Sequence, residues 1–124
     1  MRAAYGRWEQ GDFLSDLSCF DPEFVYEIRK EFPDSGTYAG ITEVGTFLQG
    51  WLSAWATISM RAIEMVEAGD RIFVAVSQYG TGRSSHIGGE LRFFHIWTLR
   101  DGLVVRLEAI WEREDALEAA GLAP

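Results

Sequence analysis

The 124 residues carry eleven Lys and Arg against nineteen Asp and Glu, a net charge of −8, with 48% hydrophobic and 14% aromatic content. A surface that negative repels a phosphate backbone, and neither a basic stripe nor a basic amphipathic helix offsets it, so nucleic acid and membranes are not expected as partners. No apolar run approaches the ~20 residues of a membrane span, the N-terminus lacks a signal-peptide pattern, and the single Cys19 can form no intramolecular disulfide; one cytoplasmic domain over residues 1–124 is expected.

In chain order, Arg2 to Gln10 puts Ala4, Tyr5 and Trp8 on one helical face, with Gly11 suited to a helix C-cap. Asp12 can N-cap a second short helix with Phe13, Leu14 and Leu17 as its apolar face. Cys19 lies in the apolar stretch Leu17–Phe20 and reads as a buried small hydrophobe. From Glu23 to Phe32 the residues alternate, with Phe24, Tyr26 and Ile28 on one side and Glu27, Arg29 and Glu31 on the other, which predicts a strand. Pro33 to Gly36 reads as a turn. Thr42 then opens the longest helix, on which Val44, Phe47, Leu48, Trp51, Leu52 and Trp55 form an apolar stripe of period 3.6.

The second half reads as four strands. They are Ile58 to Val66, Arg71 to Tyr79, Glu90 to Leu99 and Leu103 to Trp111, joined by a turn at Glu67–Asp70, a polar glycine-rich connection over 80–89, and Arg100-Asp101-Gly102. A last short helix runs from Glu114 to Ala120 and ends at Gly121. This order is α+β. It predicts a curved antiparallel sheet wrapped around the N-terminal helices and one long helix, enclosing an apolar pocket. On the fourth of these runs, Arg92, Phe94, Ile96 and Thr98 point away from His95, and Ile110 continues that outer face on the next strand. An exposed row of this kind calls for a partner, and a homodimer through the outer sheet face is expected.

The layout and local motifs resemble the nuclear transport factor 2-like superfamily, and within it the SnoaL-like branch of polyketide cyclases. The motifs are Trp8-Glu9-Gln10-Gly11-Asp12, Asp21-Pro22-Glu23-Phe24-Val25-Tyr26-Glu27, Tyr38-Ala39-Gly40-Ile41, Ala68-Gly69-Asp70-Arg71, Phe94-His95-Ile96-Trp97 leading to Arg100-Asp101-Gly102, and the ending Arg113 to Gly121. Six pieces in the right order speak for a fold, and a fold of this kind hosts isomerases, cyclases, dehydratases, epoxide hydrolases and binders. The resemblance implies that Glu27 stands where ketosteroid isomerases carry their general base, and His95 where they carry a protonated Asp. Their tyrosine falls nearest Ala4, with Tyr5 one residue away. The Arg-x-Asp of epoxide-hydrolase members has its only counterpart at Arg113-Glu114-Asp115, at the start of the last helix. Dehydratase members that use a His with a carboxylate would find Glu27 and His95.

His95 shares its strand face with Leu91, Phe93, Trp97 and Leu99, so it is either a satisfied core histidine or a pocket group able to exchange a proton or donate to an oxyanion. Glu27 poses a conflict. Alternation sends Glu27 and Arg29 away from the core, whereas the resemblance turns Glu27 inward with Arg29 beside it. Tyr5, Trp8, Trp51, Phe93 and Trp97 are core residues, some of which would line a substrate pocket. Two His and one Cys at these spacings form no zinc site, His86 reads as exposed, and neither a phosphate-binding glycine loop nor a Gly-x-Ser-x-Gly elbow occurs. No cofactor is expected. Two functions stay open: a cofactor-free lyase, cyclase or isomerase acting on an apolar carbonyl compound through Glu27 and His95, and a non-catalytic binder of an apolar small molecule.

Overall fold

A computed structural model of the chain describes residues 2–12, 18–82 and 88–122. The short helix expected around Phe13, Leu14 and Leu17, and the position of His86, lie outside these residues. Helix α1 (Arg2–Glu9) is followed by strands β1 (Phe20–Ile28) and β2 (Gly36–Ala39), then helix α2 (Ile41–Ser53). Strands β3 (Trp55–Ala68), β4 (Arg71–Gly82), β5 (Gly88–Arg100) and β6 (Leu103–Ile110) come next, and helix α3 (Arg113–Ala119) closes the order.

The punctuation follows from local chemistry. Gly11 adopts φ 85°, and the bonds Gly11 N–H to Trp8 C=O and Asp12 N–H to Arg7 C=O stop α1 with a Schellman motif. Asp101 and Gly102 both have positive φ, the pairing a tight hairpin needs if it is to match the twist of β5 and β6. Two elements differ from expectation. Gly36 to Ala39 forms the short strand β2, because its backbone pairs with Val25–Ile28 of β1 and side-chain alternation plays no part in so brief a segment. Trp55 opens β3 instead of closing α2: the helix ends when the Ala54 N–H turns to the Trp51 carbonyl.

The six strands lie in the order β2-β1-β6-β5-β4-β3. The last four form the expected antiparallel meander, but β1 runs parallel to β6, so the sheet is not purely antiparallel. Strands β3, β4 and β5 reach 14, 12 and 13 residues, and register shifts at Ala62/Glu64 and Thr98/Leu99 add the local bends that curl such long ribbons. Helix α1 packs on β3, and α2 on β1, β2 and β3; their apolar side chains belong to the core cluster of the concave face.

The other face is divided. Helix α3 lies over Phe73, Ile96 and Ile110, which keep 0%, 0% and 1% of their surface. Its first residue, Arg113, makes a bidentate pair with Glu64 at 3.0 and 3.1 Å, and its guanidinium lies 5.3 Å from the Phe73 ring centroid. The outer row of β5 is therefore correctly read as outward-facing but is not open. The chain's own last helix covers Ile96 and Ile110, and Phe94 is half-buried beside them. Of the row on which the homodimer is expected, Ile96 and Ile110 are thus covered within the chain, while Arg92 stays exposed.

Candidate functional site

Inside the curled sheet is a cavity of about 440 Å³. Among its described lining residues ten are aromatic and none is a lysine or arginine. The α2 stripe forms one wall. Val44 is buried, whereas Phe47, Leu48 and Trp51 are only half-buried because they face the cavity itself. Trp55 reaches the same cavity from β3 and meets Trp51 edge-on. Gly80, opposite Ile58, keeps its place because a Cβ there would come within 2.7 Å of the Trp55 ring.

His95 lies on the wall supplied by β5, between Phe93 and Trp97 on the inward face. It is 1% exposed. Burial lowers its pKa to about 3, so the imidazole is neutral at any ordinary pH. Its Nδ1 is 2.7 Å from the Tyr5 hydroxyl, and that hydroxyl is also 2.7 Å from the indole N–H of Trp97. The tautomer is assigned by matching each proton to an acceptor. Trp97 can only donate, so the Tyr5 oxygen accepts; the one Tyr5 hydroxyl proton has His95 Nδ1 as its remaining neighbour, and Nδ1 accepts it. The imidazole proton is left on Nε2, which is buried and has no hydrogen-bond partner among the described residues. Burial holds the Tyr5 pKa well above that of a free phenol, so the relay Trp97→Tyr5→His95 is uncharged throughout.

The residues singled out from the sequence separate into two groups. Trp8, Trp51, Phe93, Trp97 and His95 line the cavity. Tyr5 does not: it is 3% exposed and stands behind His95 as its support. Glu27 and Arg29 are on the opposite face of the sheet, which corrects the inward placement drawn from the family pattern. Parallel pairing sets Tyr26 beside Leu107 and Glu27 beside Glu108, so Phe24, Tyr26 and Ile28 enter the cavity while Glu27 bonds Arg106 on the outside. Arg29 pairs with Glu108 at 3.4 Å in the same charged ladder. The alternation of β1 holds where the family placement does not, and Glu27 and His95 are not paired. Cys19 is half-buried at the edge of the core.

One cavity residue escaped the sequence reading. Gln78, on β4, is 8% exposed and lines the cavity on the same inward face as Val74 and Val76. Its signal was present as a single polar residue on the inward side of a Val-rich strand.

The SnoaL-like domain family matches the chain over residues 1–107. Among curated proteins none matches. Solved structures share the fold. An NTF2-like protein of unknown function from Burkholderia pseudomallei is 22% identical, with a TM-score of 0.77 over 94% of this chain and 91% of that one. TerC, co-crystallised with polyporic acid, is 24% identical, with a TM-score of 0.75 over 96% and 93%. A putative SnoaL-like polyketide cyclase from Jannaschia sp. is 17% identical, with a TM-score of 0.66 over 86% and 75%.

Proposed function

This chain belongs to the SnoaL-like domain family, and within it we propose that the protein binds a flat, apolar small molecule whose carbonyl oxygen accepts the Nε2–H of His95. The observation that carries this is the unpartnered Nε2 of a buried imidazole on the wall of an aromatic cavity. A buried donor without an acceptor is costly, and a ligand oxygen relieves that cost. The lining favours an uncharged ligand: aromatic faces supply contact area, and no cation is present among the described lining residues to hold a carboxylate.

Binding is favoured over turnover by the position of Glu27. The base expected for proton abstraction is across the sheet, tied to Arg106. Glu90 touches the cavity, but its carboxylate is held by Ser77 and Arg92. Cyclase-type chemistry in the same cavity would use His95 as an oxyanion donor, since a neutral N–H bond strengthens as negative charge develops on the oxygen.

The test is quenching of tryptophan fluorescence by 4-acetylbiphenyl and by 4-ethylbiphenyl, which lacks the carbonyl. The ketone should bind the wild type about three- to tenfold more tightly, the range of one net hydrogen bond. His95→Phe should erase that preference. Equal affinity of the two probes for the wild type would overturn the proposal. Native mass spectrometry of the freshly purified protein would identify any ligand carried through purification.

A further inference from the structure

The geometry points to Gln78 as a second ligand-binding residue, one that reads a hydrogen-bonding group at the far end of the molecule whose carbonyl meets His95. This rests on the carbonyl reading above and extends it to a two-ended ligand. Gln78 is one of only three buried polar or charged residues among those described, with Ser77 and His95. Ser77 points outward and bonds Glu90. That leaves Gln78 and His95, beside the hydroxyls of Tyr5 and Tyr26, as the buried polar groups of the concave face among the described residues.

Register fixes their separation. Val74 pairs with His95 and Gln78 with Leu91, so the two lie four residues apart along the β4–β5 ladder, about 13 Å at roughly 3.3 Å per residue. Between them the cavity wall is Phe93, paired with the buried Val76 behind it. The neighbour of Gln78 across β3 is Met60, also apolar. Gln78 is buried and lines the cavity, and its amide can both donate and accept. A primary amide on the wall of an aromatic cavity suits a ligand with a polar group to meet it. Two polar points joined by an apolar wall suit a rigid molecule with an oxygen at each end and rings between.

The experiment compares 4-acetylbiphenyl with 4-acetyl-4′-hydroxybiphenyl, reading the ratio of their dissociation constants by fluorescence quenching. The hydroxyl should tighten binding to the wild type about five- to tenfold, as one net hydrogen bond does. Gln78→Leu should bring the ratio to about one. Gln78→Glu, which keeps an acceptor of the same length, should preserve it and guards against a loss that reflects misfolding of the Leu variant. His95→Phe should weaken both probes while leaving the ratio intact. A ratio of one in the wild type, or an undiminished ratio in Gln78→Leu, overturns the role of Gln78. If His95→Phe leaves the ketone's affinity unchanged, the carbonyl reading fails, while the hydroxyl ratio still decides Gln78.

Discussion

The two faces of one sheet are built to opposite rules. On the concave face, Trp97, His95 and Phe93 of β5 line a cavity, and Ile72, Val74 and Val76 of β4 pack beside them in the core. On the convex face, the intervening residues are either sealed by α3, as Phe73 and Ile96 are, or left in a charged ladder of Glu27, Arg106, Glu108 and Arg29. The difference teaches where chemistry can reside. Charged groups on the convex face satisfy one another near water. Polar groups on the concave face are few, and their hydrogen-bonding capacity is directed inward or left unused.

The sharpest way to break this comparison is to cut into the concave face. Trp97 is fully buried and donates to Tyr5. Trp97→Ala should cost about 3–5 kcal/mol in urea unfolding, the range for a large core aromatic. A cost below about 1 kcal/mol would mean that the relay and its packing do not hold the wall.

Acid should separate the faces next. The His95 pKa is depressed to about 3 in the folded chain and is near 6.5 when unfolded. Between those values the unfolded chain binds the extra proton, so stability falls as pH drops below about 6.5, by about 1.4 kcal/mol per pH unit. At pH 4.5 the loss should be about 3 kcal/mol, and His95→Phe should lack that component. Unfolding curves for both proteins across pH 4–7 check it; parallel pH profiles would contradict a neutral buried imidazole.

The smallest effect belongs to the convex face. The Glu27 side chain keeps 30% of its surface and that of Arg106 40%, so their ion pair is largely screened. Glu27→Gln should change stability by less than about 1 kcal/mol and leave the affinity for 4-acetylbiphenyl untouched. A tenfold loss of affinity would return Glu27 to the binding site.

Much of this architecture was readable in advance, because periodicity reports which side of an element is buried. The α2 stripe, the alternation of β1 and the Asp101-Gly102 hairpin each follow from residue spacing. Trp55 shows the limit: its position continues the helical period and equally begins the next strand, and only the backbone turn at Ala54 separates the two. β2 is too short to carry a pattern. For the site, His95 and its aromatic neighbours were legible as the inward face of β5. The direction of Glu27 stayed open, because the alternation of Phe24, Tyr26 and Ile28 sends it outward and the family position turns it inward; only the sheet register and its bond to Arg106 decide. The partnership of Tyr5 with His95 spans 90 residues, and no local pattern contains it. Ile96 and Ile110 looked exposed because strand periodicity says nothing about where a later helix will lie.

Burial keeps His95 neutral, and the hydrogen bond from Tyr5 leaves the ring proton on Nε2 for the proposed ligand. Two-bond nitrogen–proton NMR on protein labelled with ¹⁵N-histidine reads that state directly. His95 should show the pattern of a neutral ring protonated at Nε2, unchanged from pH 7 to pH 4.5, with Nδ1 shifted by the hydrogen bond from Tyr5 and released in Tyr5→Phe. A ring protonated at Nδ1, or one that titrates near pH 6, would contradict it.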